Sequence, residues 1–300
     1  MSLRSWLGIT KGRERRVKKG KKIFIICLYL MAIIGSIAFI FPFIWVVSTS
    51  LKETAQTYTF PPELIPDPVS WRNYYRIWTE IPFSLFYRNS LFVILTAPLG
   101  AVITTSLVAY PFARLRFRGR NFLFILILST LMVPPQILII PRFLLFKSIG
   151  WLDTLKPLII PYCLAGAPGA AFNIFLFRQF YMTIPFELDE AAKIDGASSF
   201  GIYWRIIFPL SRPAFFAILM LSILGHWNKF IEPLIYLNST NKFTLPLGLN
   251  FLRASFQTGG EPMQNLFMAG VSMASLPMII LFLILQRYFV RGIAITGVKG

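Results

Sequence analysis

Charged and apolar positions are segregated into blocks along this chain. Six stretches of 16 to 29 residues, 23–51, 89–113, 121–141, 157–177, 213–228 and 262–286, contain no Asp, Glu, Lys or Arg. A helix needs about 20 predominantly apolar residues to cross roughly 30 Å of hydrocarbon. The pattern therefore predicts an all-α integral membrane protein with six transmembrane helices. The first window is too long for the apolar core of a signal peptide and closes on no small-x-small cleavage site, so it is expected to remain as a span over 23–47. Pro42 is a candidate kink there, and Pro134-Pro135 demands a kink or break in the third window. The fourth carries Pro161, Gly166, Pro168 and Gly169, which survive in a membrane where neighbouring helices or a lined cavity satisfy the freed backbone groups. The fifth is the shortest and is expected to continue past Glu232 to about Leu237.

This divides the chain into a basic arm (1–22), a first span (23–47), an external loop (48–86), a five-span core (87–286) and a tail (287–300). Composition agrees: 56% of residues are apolar, 14% are charged and the mean hydropathy is +0.64. Soluble domains carry about a quarter charged residues. Disorder, a disulfide scaffold and a large soluble enzyme are excluded on the same grounds. The formal charge of +18 does not signal nucleic acid, because the basic residues form no soluble stripe. Nine of the thirty Lys and Arg lie in the first 22 residues, and four alternate through Arg114, Arg116, Arg118 and Arg120. With the N-terminus inside, inner segments hold twenty Lys and Arg against ten in outer ones. The positive-inside rule then predicts cytoplasmic termini.

Chemistry-bearing residues are sparse. Cys27 and Cys163 lie in apolar windows without a C-x-x-C partner, and the chain has one histidine, His226, so neither a disulfide framework nor a zinc site is expected. Asn173, His226, Trp227 and Asn228 are polar or aromatic groups within windows, and such groups mark a pathway or hydrogen-bond between helices. They are the candidate substrate-pathway residues. For Asn173 an interhelical hydrogen bond is the favoured role.

One inner connection, 178–212, is five times longer than its seven-residue counterpart at 114–120. Its segment 185–196 has Pro near a helix start, acids in the first turns and Gly just past the end, which predicts a short surface helix. Leu188, Ala191 and Ala192 would share a small apolar face, with Asp189 and Lys193 pairing on the flank. Ser198 or Ser199 would cap a second short helix over 200–207, closed by Pro209.

The run Glu190-Ala191-Ala192-x-x-x-Gly196, then nine residues, then Ile206-x-Phe208-Pro209 resembles the EAA signature of permease subunits in binding-protein-dependent ABC importers. Phe208 stands where that signature has Leu. The stretches 187–197, Trp227-Asn228-x-Phe230-x-x-Pro233-Leu234 and 286–300 narrow the resemblance to the carbohydrate-uptake branch. The resemblance implies a type I importer permease fold whose inner elbow is a coupling helix seated on a separate ATPase. Glu187, Asp189, Glu190, Ala191, Ala192, Asp195, Gly196, Ile206 and Pro209 would form that coupling site. It further implies a homologous second permease, two cytoplasmic ABC ATPases, an external sugar-binding protein, and a location in a bacterial or archaeal inner membrane among its lipids. ATP and Mg would sit on the ATPase, and this chain, which lacks G-x-x-x-x-G-K-[ST], would bind no cofactor and hydrolyse nothing itself. The outer loop from Asn238 to Pro262 would face the binding protein. The tail would lie against the ATPases or be anchored by Arg287 and Arg291. Competing readings are an ABC permease for peptides, amino acids or phosphate, and a secondary transporter, whose usual internal repeats and midplane acids are missing from this pattern.

Overall fold

The computed structural model describes residues 4–257 and 263–297; within these, side chains are described for 22, 24–254, 263–284 and 286. The side chains of most of the basic arm and of Arg287 and Arg291 fall outside this set. All secondary structure among the described residues is helical. Two compact units emerge, 1–73 with 264–272 and 74–263 with 273–300.

The first unit is built on α1 (Arg4–Ser50), which runs without interruption through Pro42. Its residues from Phe24 to Ile44 are exposed apart from a half-buried Gly35, and only Ser48, Thr49 and Ser50 at its end are buried, so the apolar surface is left for lipid or another subunit. The helix end is closed by side chains. Asn73 Nδ2 donates to the carbonyls of Ser50 (2.9 Å) and Lys52 (2.8 Å), and Asn265 Nδ2 donates to the Lys52 carbonyl at 3.0 Å. These satisfy acceptors that a helix terminus leaves open. Beyond it lie a single turn, α2 (Thr54–Thr57), and α3 (Arg72–Thr79), both in the stretch expected to be an external loop.

The second unit is organised round α4 (Phe83–Arg114), a 32-residue helix that fills the second window and extends it at both ends. α5 (Arg120–Ser129) follows from Gly119 in the left-handed region. The third window breaks where the prolines require. Val133 and Pro134 are extended, because a following proline disfavours helical backbone, and the chain turns by 90° before α6 (Ile139–Ser148). The fourth window is also broken, into α7 (Lys156–Cys163) and α8 (Ala170–Thr183), with Ala165 and Gly169 at positive φ between them.

The connection at 178–212 holds α9 (Glu187–Ile194) and α10 (Ser199–Ile202), the latter capped by Ser198 Oγ accepting from the Gly201 amide at 3.1 Å. The expected closure at Pro209 does not occur. A π-helical turn over Tyr203–Ile207 leads into α11 (Phe208–Leu210), and the chain bends by 76° only after Leu210, into α12 (Arg212–Trp227). Pro209 brings no amide proton, so it sits in the first turn of a restarted helix, where none is needed. The fifth window ends sooner than expected. It stops at Trp227 and α13 (Ile231–Tyr236) is separate, because Pro233 can offer no hydrogen bond to the Lys229 carbonyl that a continuous helix would require. α14 (Leu245–Gln257) and α15 (Gln264–Gly297) complete the chain.

Among the described residues, three helices are long and apolar enough to cross a membrane, α1, α4 and α15, and the two bent pairs raise the number to as many as five. The split α7–α8 segment occupies the remaining window. α4 packs against α7, α8 and α12. One part of this core joins Val102, Ala109 and Tyr110 to Phe177, Tyr181, Ile202, Tyr203, Ile207 and Phe215. The elbow formed by α9 and α10 is thus seated on the same core as the spans.

Candidate functional site: the inner elbow and a cavity beside the broken span

α9 presents two contrasting faces. Asp189 and Ala192, one turn apart, are turned inward, and Ala192 joins the hydrophobic core. Glu187, Leu188, Glu190, Ala191, Lys193, Ile194 and Asp195 are exposed, Ile194 at 87%. Phe186, Phe200 and Trp204 extend this apolar surface. The α9 surface thus exposes three acids and one lysine beside Leu188 and Ile194. Two expectations change. Ala192 is not part of the outward face, and Asp189 pairs with Arg114 rather than Lys193, because the distant guanidinium is already buried beneath the helix.

Arg114 ends α4, and its side chain has no exposure. It donates to Asp189 Oδ2 at 2.5 Å and to the carbonyls of Ile184 (2.8 Å) and Pro185 (3.0 Å), and lies 4.2 Å from the centre of the Phe186 ring. One guanidinium therefore grips the approach to α9 and the helix itself. Gly196 follows at φ +80°, in the region that favours glycine, with open space where a Cβ would stand. Ile206 packs half-buried on the core and Pro209 is half-buried, so both support the elbow from within.

The candidate pathway residues separate into two pairs. Asn173 and His226 line one cavity of about 340 Å³, with Tyr162, Phe172, Ser222 and Lys229. That lies within the roughly 300–1,000 Å³ typical of small-molecule sites. Asn173 Nδ2 reaches Ser222 Oγ at 3.4 Å, and His226 Nδ1 lies 2.7 Å from the Ser222 carbonyl, while Nε2 is buried with no protein partner. The 164–169 break forms another wall, so the irregular backbone borders a cavity, as freed polar groups at membrane depth require. Trp227 is instead buried edge-on against Tyr87, and Asn228 is exposed and donates to its own helix at the Leu224 carbonyl. Lys229 and Glu232 pair at 3.3 Å, and the Tyr162 hydroxyl meets both Glu232 oxygens at 2.8 Å as well as the Lys229 ammonium. The cavity rim therefore carries no net charge from this pair.

Arg114, Tyr162, Ser222 and Lys229 were not singled out by pattern. Arg114 counted only towards topology, although an arginine ending a span and an acid in the next inner connection were both readable signals.

The segment 101–295 matches the family described as "Binding-protein-dependent transport system inner membrane component". The chain belongs to this family. It is 34% identical over 282 residues to the arabinooligosaccharides transport system permease protein AraQ of Bacillus subtilis (strain 168), covering 93% of this chain and 97% of that one. The sn-glycerol-3-phosphate transport system permease protein UgpE of Yersinia pestis is 33% identical over 284 residues, covering 92% and 97%. Among solved structures, a bacterial ABC transporter involved in the import of the acidic polysaccharide alginate matches with a TM-score of 0.76 and 25% identity, over 90% of this chain and 98% of that one. The permease is thus an all-helical, multi-pass membrane subunit of the type I importer fold. Family membership implies an ATPase and a binding protein as partners.

Proposed function

We propose that this chain is the membrane-spanning subunit of an ATP-driven importer that translocates a sugar or oligosaccharide delivered by an external binding protein. The observation that carries the proposal is the elbow itself: an acidic, apolar patch left bare on α9 and α10 while the opposite side is tied into the core. In this reading, Glu187, Glu190, Ala191, Ile194 and Asp195 meet a cleft of the ATPase, with the acids pairing to basic groups there. Asp189, Ala192, Ile206 and Pro209 hold the elbow in place, and Gly196 permits its exit turn. ATP and Mg stay on the ATPase. Six crossings with both termini inside follow from the charge distribution, and a homologous second permease completes the pore.

The relatives named for arabinooligosaccharides and alginate support a carbohydrate as cargo. So does the cavity beside the broken span: Asn173, Ser222 and His226 offer hydrogen-bonding groups suited to hydroxyls, and Phe172 offers a ring face. The test is to purify the tagged permease from its native membranes and identify what accompanies it. An ABC ATPase and a second permease are expected. Their absence, with the chain intact and folded, would refute the assignment.

A further inference from the structure

The turn that joins α4 to α5 concentrates charge of one sign. Arg114, Arg116, Arg118 and Arg120 alternate along it. Arg178, on α8, packs against the same aromatic bed, in which the Phe112 ring lies 5.8 Å from those of both Phe117 and Phe124. Arg114 is neutralised by Asp189. The other four guanidiniums meet no carboxylate among the described residues.

Two of those four are nonetheless fixed in place. Arg178 Nε donates to the Phe112 carbonyl at 3.2 Å and its guanidinium lies 4.2 Å from the centre of the Phe124 ring, while Arg120 Nη1 donates to the Leu115 carbonyl at 3.2 Å. Each keeps most of its five N–H donors open. Arg120 and Arg178 are also close enough for their like charges to repel. An anion beside them offsets that repulsion and takes up the open donors, and a phosphate suits the guanidinium fork best.

The space for such a group lies next to them. Arg116, Phe117, Gly119, Arg120, Asn121 and Phe122 line a cleft of about 320 Å³. α5 starts at this cleft, and its Phe122 (70% exposed), Ile125 (64%) and Leu126 (54%) share one face at i, i+3 and i+4. Phe122 belongs to both surfaces. A cationic cleft running into an apolar helix face sets the two halves of a phospholipid site side by side, at the end of a long apolar helix, where headgroups lie. A free anion would make no use of the apolar face.

We propose that the α4–α5 turn binds an anionic phospholipid, with its phosphate in the cleft against Arg116 and Arg120 and an acyl chain along Phe122, Ile125 and Leu126. Arg178 adds to the positive field beside Arg120. The site depends on neither the cargo nor the ATPase; it needs only this chain and a bilayer.

The test reconstitutes the permease, with the subunits that copurify with it, in nanodiscs of phosphatidylcholine doped with a lipid that carries a photoreactive group in its acyl chain. That probe is phosphatidylglycerol in one arm and phosphatidylcholine in the other, and labelled residues are mapped by peptide mass spectrometry. Phosphatidylglycerol is expected to label 122–126 at least about tenfold more than phosphatidylcholine does, while the two label the exposed apolar stretch of α1 alike. Arg116→Gln/Arg120→Gln should reduce the phosphatidylglycerol label at 122–126 by at least about tenfold. Unchanged labelling of α1 in that variant shows that the chain is still inserted. Arg116 is exposed and makes no hydrogen bond among the described residues, so Arg116→Glu reverses one charge without breaking an internal bond. It keeps the test decisive if the double variant does not assemble. Unlabelled phosphatidylglycerol should displace the probe and inorganic phosphate should not. Equal labelling of 122–126 by the two lipids, or an undiminished label in Arg116→Glu, would overturn the site. So would displacement by inorganic phosphate as effective as displacement by lipid, which would make the cleft a site for free anions.

Discussion

Asp189 and Glu190 are adjacent carboxylates in one short helix, and their removal is expected to have opposite consequences. The Asp189 side chain is 5% exposed and its partner Arg114 is fully enclosed. Asp189→Leu leaves a guanidinium buried with two carbonyl acceptors, Ile184 and Pro185, but no counter-charge. Breaking a buried pair from one side costs about 3–5 kcal/mol. Because the two carbonyls remain, the lower end applies, near 3 kcal/mol, or roughly a hundredfold in the folding equilibrium. For a chain of this size that corresponds to a loss of about 6–12 °C in Tm. Glu190 is exposed. Glu190→Lys should change stability by no more than about 0.5 kcal/mol, yet abolish uptake by reversing the charge on the docking patch. The Arg114→Leu/Asp189→Leu double variant should recover most of the stability lost by Asp189→Leu, since no unpaired charge is left behind. Thermal unfolding of the detergent-purified permease, followed beside uptake in proteoliposomes, measures all three. Equal Tm losses for Asp189→Leu and Glu190→Lys, or an Asp189→Leu protein as stable as the parent, would refute the reasoning.

Gly196→Val should cost about 1–2 kcal/mol through backbone strain alone, because φ is +80° and no neighbour crowds the site; reduced copurification with the ATPase is the readout. Asn173→Leu and His226→Phe should each raise the KM for uptake at least several-fold while leaving assembly intact, and a KM unchanged in both would remove the cavity from the pathway. Asp153 ties the α6–α7 and α13–α14 connections together through the Ser239 hydroxyl (2.5 Å), the Ser239 and Asn238 amides and Lys242 (2.9 Å). Those bonds, led by the Ser239 hydroxyl, hold its carboxyl well below the usual carboxylate range. A depressed folded-state pKa means the tether is fully present above the unfolded value near 3.9 and is lost only as pH falls below it. The protection of the Asn238 and Ser239 amides from hydrogen exchange, relative to the intrinsic rate at each pH, should therefore be equal at pH 5 and pH 7, and lower at both in Asp153→Asn.

Features governed by local chemistry were readable in advance. Pro134 forces the break in the third window, Gly196 takes the left-handed turn, Ser198 caps α10, and the charge-free stretches mark the long apolar helices. Features governed by distant partners were not. Asp189 looks like any flank acid on a short helix until Arg114, 75 residues earlier, is found beneath it. The same holds for Ala192, whose inward turn depends on the core that receives it. The split of the fifth window at Asn228 was hidden because its apolar composition continues through α13, and only the missing amide of Pro233 separates the two helices. Asn173 and His226 share a cavity because the fourth window unwinds at 164–169, a displacement that residue spacing on ideal helices does not convey.

In the proposed reading, the bare face of α9 is seated on an ATP-hydrolysing subunit. Photo-crosslinking residues placed singly at Glu190, Ile194 and Ala192 in the native membrane test it most directly. Capture of an ABC ATPase from Glu190 and Ile194, with none from the inward-facing Ala192, is the predicted result; no capture from either outward position in a complex that still imports its cargo would contradict it.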